Sequence, residues 1–384
     1  MRCSGGGRDG SQAPLQSRLG RVCSTPASRL GLWCALAVSL YTTTFHCAED
    51  AKKTMPQGKL PQTRLGLSGP EVSRIGLGCM SLSGVYGSSD DGAGARLIRH
   101  AVETGVSLLD SAYFYGWGHN EELLGRALKG IRNQVVLATK FGIERSATGV
   151  DINGRPEYVQ NACEASLKRL GVDVIDLYYQ HRIDRSVPIE DTIGAMARLV
   201  EQGKVRHLGL CEARPETIRR AHRVHPLAAV QTEYSLLYRI EAEETLVTTR
   251  ELGIAFVAYS PLGRSLLTGS IHVHSDVAGD RRADYPRFAG ENLTRNLKLV
   301  DRIITIAKEK ACTPGQLALA WLLAQGADVV PIPGTKKRER LDENIGALDV
   351  SLSQADLDQI SSAMPPEEVA GLRYPESQMK TVYQ

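Results

Sequence analysis

From Ser73 onwards the chain alternates between short apolar runs and segments whose apolar residues recur with the spacing of an amphipathic helix. The runs are mainly apolar and contain β-branched residues, which is typical of parallel strands covered on both faces. Eight such units predict an α/β fold, a single closed (β/α)8 TIM barrel over residues 60–382. The predicted strands span 74–80, 106–110, 135–140, 174–181, 205–211, 228–233, 254–260 and 329–333.

Start and stop signals support the helices between these strands. Pro156 stands at the first position of one helical pattern, and Gly171 follows its last residue. Thr313 precedes another helical pattern and is followed by Pro314, the usual pair for an N-cap and first helical position. Asn120 is predicted to cap a helix over residues 121–128.

A doubly wound sheet is the structural alternative, and the end of the first strand argues against it. That fold carries a phosphate-binding fingerprint of three glycines after its first strand. Gly76 and Gly78 stand there without a third glycine at the required spacing. We interpret this pair as a point of close backbone packing.

The connection after the seventh strand, from residue 260 to about residue 292, is unusually long. Loops beyond about 15 residues are commonly lids or binding loops, or else disordered segments. A lid over the barrel mouth is the favoured interpretation. His272 and His274 in this loop have no carboxylate companions, so no metal site is predicted.

Residues 1–54 differ in composition from the rest and are left out of the predicted barrel. Residues 1–48 hold five Arg, many Ser and Gly and one acid, Asp9, and an apolar run spans residues 30–41. Three interpretations stay open: a transit or signal-like leader, an over-extended start with Met55 as the physiological first residue, or a functional tail.

Charge and cysteine usage exclude several classes of partner. The net charge of +3, from 46 basic and 43 acidic residues, gives no general attraction to nucleic acid or to an anionic membrane surface. The cysteines beyond residue 54 lack disulfide or metal spacing, which is typical of a reduced protein. We therefore expect a cytoplasmic protein, or an organellar one if the leader is a transit peptide.

Four polar side chains are predicted at the carboxyl ends of the strands, where barrels of this type carry their active sites. Asp110, Lys140 and His181 end strands, and Tyr115 follows Asp110 by five residues. The Lys140 ammonium, held by Asp110, is expected to lower the pKa of the Tyr115 phenol from its usual value of about 10. With His181 as a hydrogen-bond donor, the set suits protonation of a carbonyl oxygen while hydride reaches the carbon. Each residue taken singly also fits a structural role.

Several motifs stand at or near the predicted strand ends. They are Asp-Ser-Ala-Tyr-Phe-Tyr-Gly at 110–116, Asn-Glu-Glu-Leu-Leu-Gly at 120–125, Leu-Ala-Thr-Lys-Phe-Gly at 137–142, Tyr-Gln-His-Arg at 179–182, Tyr-Ser-Pro-Leu-Gly-Arg at 259–264 and Ile-Pro-Gly-Thr at 332–335. Together they resemble the aldo-keto reductase family over residues 60–382. Arg-Leu-Gly at 64–66 and Gly-Leu-Gly-Cys-Met at 76–80 look most like the branch of bacterial, fungal and plant reductases near the potassium-channel β-subunits.

The resemblance implies an NADPH- or NADP+-dependent oxidoreductase that reduces a small aldehyde or ketone. Asp110, Tyr115, Lys140 and His181 match the family's catalytic tetrad, with Tyr115 as the general acid. The alternative is a nicotinamide-binding regulatory subunit of a membrane channel, which would show little turnover. The sequence discriminates only partly between these two functions.

The resemblance also implies a set of cofactor contacts. Cys211 stands where the family usually has Ser, and a thiol is a weaker hydrogen-bond partner, so nicotinamide is expected to be held less firmly. The implied contacts are Cys211 and Gln231 for the carboxamide, Tyr259 for the nicotinamide ring, Ser260 beside it, Leu262, Gly263 and Arg264 for the pyrophosphate, and Gly334, Thr335, Lys336, Arg340, Glu343 and Asn344 for the adenosine half.

Lys336 and Arg340 are four residues apart just after the eighth strand, where a helix is predicted. Positions four apart on a helix share a face, and backbone N–H groups at a helix start favour an anion. The two cations are therefore expected to bind the ribose 2′-phosphate of NADP. A solvated run of charge is the alternative for this segment.

Overall fold

A computed structural model of the chain describes residues 59–146 and 149–384, so the predicted leader, residues 1–54, lies outside the described residues. Eight parallel strands form one sheet, in which each strand pairs with its neighbours in sequence order. The strands are β1 (Leu77–Gly78), β2 (Leu108–Asp110), β3 (Val136–Phe141), β4 (Ile175–Gln180), β5 (Val205–Cys211), β6 (Leu227–Glu233), β7 (Ala255–Tyr259) and β8 (Val329–Pro331).

Backbone hydrogen bonds between the first and last strands close the sheet into a barrel. The N–H of Gly76 donates to the carbonyl oxygen of Pro331 at 3.0 Å, and the N–H of Gly78 donates to that of Pro333 at 3.2 Å. A Cβ on Gly78 would lie 2.7 Å from the carbonyl oxygen of Ile332. The predicted (β/α)8 barrel and the close backbone packing at this glycine pair are both confirmed.

Helices cover the outside of the barrel. Among the described residues, no helix is both long and apolar enough to cross a membrane. The helices are α1 (Asp91–Glu103), α2 (His119–Ala127), α3 (Pro156–Leu170), α4 (Ile189–Glu201), α5 (Pro215–Val224), α6 (Ile240–Glu251), α7 (Gly290–Glu309), α8 (Pro314–Ala324), α9 (Arg338–Ile345), α10 (Gln354–Ala363) and α11 (Glu376–Met379).

The predicted helix signals hold except at α2. Pro156 opens α3, Gly171 ends it in a left-handed conformation, and the Thr313 hydroxyl accepts from the Gln316 N–H at the start of α8. Asn120, by contrast, lies inside the first turn of α2, which follows Gly118, so its predicted role as N-cap was wrong.

The buried Asn120 side chain forms hydrogen bonds to the segments that follow two neighbouring strands. Its amide donates to the carbonyl oxygen of Cys79 at 2.8 Å and to the hydroxyl of Ser83 at 2.9 Å. Its side-chain oxygen accepts from the hydroxyl of Ser111 at 2.7 Å. These contacts hold the segments after β1 and β2 next to each other at the carboxyl end of the barrel.

A short antiparallel hairpin closes the opposite end of the barrel. Its strands, Gln62–Arg64 and Glu71–Ser73, flank a turn whose Leu67 N–H donates to the carbonyl oxygen of Gly253, just before β7. Leu65 and Val72 are fully buried among the side chains that fill the barrel interior. Apolar packing therefore seals this end and leaves the carboxyl end accessible.

The long connection after β7 is built from short 3₁₀ turns at Leu266–Thr268, His274–Val277, Arg281–Asp284 and Pro286–Phe288. Leu267, Val277 and Phe288 are buried in the same core as α7 and α8, which fastens the loop to the barrel. Arg281 and Tyr285 line the cavity at the barrel mouth. The loop thus lies where the lid interpretation requires.

Closure at Gly78 has a measurable consequence for stability. Gly78→Ala is expected to lower the unfolding free energy by about 1–3 kcal/mol, because its methyl group would overlap the backbone of Ile332. Gly194 on α4 is the matched control, since a methyl group there meets nothing closer than 4.0 Å. Gly194→Ala is expected to gain about 0.5–1 kcal/mol, as alanine does in a helix. Urea unfolding measures both, and equal stability of the two variants would contradict the close packing.

Candidate active site

A cavity of about 310 Å³ opens at the carboxyl ends of the strands. Aromatic and aliphatic side chains supply most of its wall, including Met80, Phe114 and Ile143. Six residues singled out in the sequence line it together: Tyr115, His181, Gln231, Tyr259, Ser260 and Arg264.

Lys140, at the end of β3, is the centre of a buried polar group beside this cavity. Its ammonium forms an ion pair with Asp110, the last residue of β2, and donates to the carbonyl oxygen of Ser111 at 2.8 Å. It also lies 3.2 Å from the hydroxyl oxygen of Tyr115, to which it donates. These contacts use all three N–H bonds of the ammonium, so the Tyr115 proton stays free for another acceptor.

Burial and charge act in opposite directions on this group. Burial alone would lower the pKa of Lys140, but the Asp110 carboxylate raises it above its usual value, so the ammonium stays charged. Burial raises the pKa of Tyr115 to about 12, although Lys140 by itself lowers it. The prediction that Lys140 brings this pKa below its usual value was therefore wrong, because desolvation of the phenolate outweighs the ammonium.

His181 follows β4 and packs edge-on against Tyr115, with ring centroids 5.8 Å apart. Burial, helped by the nearby cations Arg182 and Lys140, holds the pKa of the imidazole well below its usual value. The ring is thus neutral at physiological pH. Within the described ranges, its Nδ1 has no hydrogen-bond partner.

Gln231 and Cys211 are paired neighbours on β6 and β5. The Gln231 amide donates to the second carboxylate oxygen of Asp110 at 2.8 Å, which links the implied nicotinamide contact to the Lys140 group. Cys211 is buried, and burial raises the pKa of its thiol, so it is uncharged.

Tyr259 ends β7 and is held by Glu212 and Arg373, to which the sequence assigned no role. Its hydroxyl donates to Glu212 at 2.7 Å, and the same carboxylate accepts two hydrogen bonds from Arg373, at 2.7 and 2.6 Å. Both Glu212 and Arg373 are buried. In the sequence Glu212 is only an acid after a strand, and nothing in the local pattern around Arg373 points to it.

The turn after β7 carries the implied pyrophosphate contacts. Ser260, Gly263 and Arg264 all have left-handed backbone conformations, with φ of 48°, 55° and 56°. Arg264 is buried and donates twice to Glu233, at 3.2 and 2.9 Å. Leu262 packs against the apolar core beneath the turn.

None of the residues implied after β8 lines the cavity, although Lys336 contacts one lining residue, Tyr86. Lys336 precedes α9 and donates to the carbonyl oxygens of Tyr86 and Ser88, at 2.6 and 2.9 Å. Because α9 begins only at Arg338, the predicted shared helix face of Lys336 and Arg340 was wrong. Arg340 is half-exposed and pairs with Glu343. The other implied contacts are Gly334, which is exposed, and Thr335 and Asn344, which are buried.

No group of three or more His, Cys, Asp or Glu side chains that could hold a metal ion occurs in residues 59–146 and 149–384. His272 and His274 are exposed in the long loop.

Comparisons with known proteins identify the family. The model of the aldo/keto reductase family matches residues 74–364. The chain is 50% identical over 323 residues to probable aldo-keto reductase 1 of Glycine max, which covers 83% of this chain and 93% of that protein.

Two solved structures share the fold. The glycerol dehydrogenase AKR11B4 of Gluconobacter oxydans is 29% identical, with a TM-score of 0.72 and coverage of 79% of this chain and 96% of that one. The aldo-keto reductase AKR11C1 of Bacillus halodurans, in its holo form, is 28% identical, with a TM-score of 0.68 and coverage of 80% and 97%. On the match of the family model and the identity to the Glycine max protein, the chain belongs to the aldo/keto reductase family of oxidoreductases.

Proposed function

We propose that the protein reduces aldehydes or ketones to alcohols with NADPH, and that Tyr115 is the proton donor. The observation that carries this proposal is the contact of a charged, fully buried Lys140 with the hydroxyl of Tyr115 at the wall of the cavity. A protonated phenol beside a fixed ammonium suits a reaction in which negative charge develops on oxygen.

The cavity fits an anionic dinucleotide. Arg264 and Arg281 line it, and none of its described lining residues is Asp or Glu. Arg264 retains N–H groups beyond the two that it gives to Glu233, so it would hold the pyrophosphate, while Gln231 and Tyr259 would hold the nicotinamide. When bound, NADPH supplies a hydride to the substrate carbon.

The residues of the chain donate the proton to the substrate oxygen and stabilise the negative charge that this leaves behind. As the carbonyl carbon gains a hydride, Tyr115 gives its proton to the carbonyl oxygen, and the alcohol is complete. The Lys140 ammonium stabilises the phenolate that remains until solvent returns a proton, and Asp110 keeps that ammonium in place. The neutral His181 ring donates a hydrogen bond to the carbonyl oxygen and does not compete as a stronger acid.

Consumption of NADPH with 4-nitrobenzaldehyde tests the proposal, with NADH and an enzyme-free reaction as controls. Oxidation of glycerol with NADP+ is measured beside it, because one structural relative is named a glycerol dehydrogenase. Steady turnover with NADPH is expected. Tight retention of the nucleotide with negligible turnover of either substrate would instead favour a regulatory subunit.

Arg340 is proposed to select NADPH over NADH through the ribose 2′-phosphate. Arg340→Ala is expected to weaken NADPH binding by about 1.5–3 kcal/mol, the range for a hydrogen bond to a charged group, and to leave NADH binding nearly unchanged. The lower end is favoured because the side chain is half-exposed. Fluorescence titration of both nucleotides decides this, with Lys337→Ala as a control from the same run of charge. Equal losses for NADPH and NADH would mean that Arg340 supports the fold or the adenine.

We also propose that the reaction takes place in the cytoplasm. All four cysteines of the described residues, Cys79, Cys163, Cys211 and Cys312, are free, as expected in a reducing compartment. Fluorescent fusions of the full chain and of a chain starting at Met55 test this. Different locations for the two fusions would show that residues 1–54 direct the protein to an organelle.

A further inference from the structure

Arg182 is a cation in the cavity wall for which the proposed reaction has no role. It directly follows His181, is partly buried, and lines the same cavity as Tyr115. Its guanidinium donates one hydrogen bond, to the carbonyl oxygen of His181 at 2.8 Å. In the described part of the chain no carboxylate forms an ion pair with it, so most of its five N–H groups are open to a ligand.

Glu212, the acid whose charge acts on Arg182, already accepts four hydrogen bonds. One carboxylate oxygen accepts from Arg373, from Tyr259 and from the backbone N–H of Glu233, and the other accepts from Arg373. The Glu212 carboxylate therefore cannot accept a pair of parallel hydrogen bonds from a second guanidinium group.

Glu233, the other buried acid at this end of the barrel, is equally occupied. It accepts from Arg264 and Arg287, and Arg373 lies 3.7 Å from it. Four guanidinium groups, counting Arg182, thus surround two carboxylates in the described part of the barrel mouth. The excess positive charge is partly desolvated, and an anionic ligand would stabilise it.

The position of Arg182 points to the substrate rather than to the cofactor. The proposed phosphate contacts lie elsewhere, at Arg264 after β7 and in the segment after β8. Arg182 lies after β4, beside His181 and within the cavity that Tyr115 lines. A group bound there belongs to the molecule that presents its carbonyl to Tyr115.

We propose that Arg182 binds an oxyanion of the substrate, a carboxylate or a phosphate, so that the preferred substrates are aldehydes or ketones that carry a negative charge. A guanidinium grips either group through two parallel hydrogen bonds. This inference rests on the proposed carbonyl reduction and adds its substrate class.

The test compares matched substrates, 4-carboxybenzaldehyde and 4-nitrobenzaldehyde, which differ in charge at one end. For Arg182→Met, the ratio of kcat/KM for the charged aldehyde to that for the neutral one is expected to fall ~10- to 100-fold, the scale of a hydrogen bond to a charged group. Arg182→Lys keeps the charge and is expected to recover part of the ratio. Arg185→Met removes an exposed arginine of the same loop and is the control, with no change expected.

A second pair, glyceraldehyde 3-phosphate and glyceraldehyde, separates the two sources of oxyanion. A larger effect of Arg182→Met on this pair assigns the site to phosphate, and a larger effect on the benzaldehydes assigns it to carboxylate. An unchanged ratio in both pairs would overturn the proposal. A loss of NADPH affinity as large as the loss in kcat/KM would also overturn it, because Arg182 would then hold the cofactor.

Binding without turnover keeps this inference separate from the proposed function. Calorimetry with 4-(hydroxymethyl)benzoate and with benzyl alcohol, in the presence of NADP+, measures the anion site alone. Tighter binding of the charged alcohol that Arg182→Met abolishes supports the site even if no aldehyde is reduced. If aldehydes are reduced but the charge of the alcohol has no effect on its binding, the result supports the proposed reaction and contradicts the anion site.

Discussion

Tyr115→Phe is expected to lower kcat for NADPH-dependent aldehyde reduction by ~10²–10⁴-fold, the usual contribution of a general acid. The substitution removes one hydroxyl, which contacts Lys140. Nucleotide affinity is expected to stay nearly constant, since the ring itself remains. Steady-state kinetics and NADPH fluorescence titration measure the two effects separately.

Tyr113 supplies the matched control for this experiment. It lies two residues away and packs against Trp117, with ring centroids 5.7 Å apart and the Arg169 guanidinium over its ring. Tyr113→Phe is expected to retain nearly full turnover. If Tyr115→Phe kept most of its activity instead, the donor would have to be Tyr113 or water.

The pKa of Tyr115 sets the expected pH dependence. Because burial raises this pKa to about 12, the phenol is protonated below that pH and loses its proton only as the pH rises through it. Reduction in the wild-type protein is therefore expected to keep its proton donor between about pH 6 and pH 9. A fall in kcat with an apparent pKa near 7 would indicate that another group, such as His181, donates the proton.

Lys140→Met is expected to damage both catalysis and stability. Turnover should fall by ~10²–10⁴-fold, because the phenolate formed in the reaction loses its stabilising ammonium. Asp110 would remain buried without its cation, and the Gln231 amide would be its one side-chain donor among the described residues. Removing one partner of a buried ion pair costs about 3–5 kcal/mol in the free energy of unfolding.

The double variant Asp110→Asn/Lys140→Met separates these two losses. Removing the orphaned carboxylate is expected to restore much of the melting temperature, while kcat stays low. Thermal unfolding and single-turnover kinetics of the single and double variants complete the comparison. Recovery of activity in the double variant would show that Lys140 acts only through the fold.

The architecture was predictable from sequence because its causes are local and periodic. β7 (Ala255–Tyr259) lies inside the predicted run 254–260, since a strand buried on both faces favours an unbroken apolar run. Thr313 and Gly171 act as helix ends in the structure, because caps depend on neighbouring residues only. The gathering of Asp110, Tyr115, Lys140 and His181 at one end of the barrel follows from the same periodicity, as parallel strands end on one side.

The tertiary structure decided everything that depends on distant partners or on burial. Asn120 leaves the cap position because Cys79 and Ser83, about 40 residues earlier, offer buried hydrogen bonds. The pKa of Tyr115 rises because the effect of desolvation is larger than that of Lys140. A sequence motif does not show how far the folded chain removes a side chain from water.

The pairing of charges at the barrel mouth shows most clearly what the tertiary structure decides and the local sequence does not. Glu212 and Arg373 are 161 residues apart in the chain, yet they form a buried fork that holds Tyr259. Arg182 is left without an ion pair in the described part of the chain. Residue types and periodicity determined which strands and helices form. Which charges cancel one another was decided only by folding, because Coulomb interactions depend on distance and burial and not on separation along the chain.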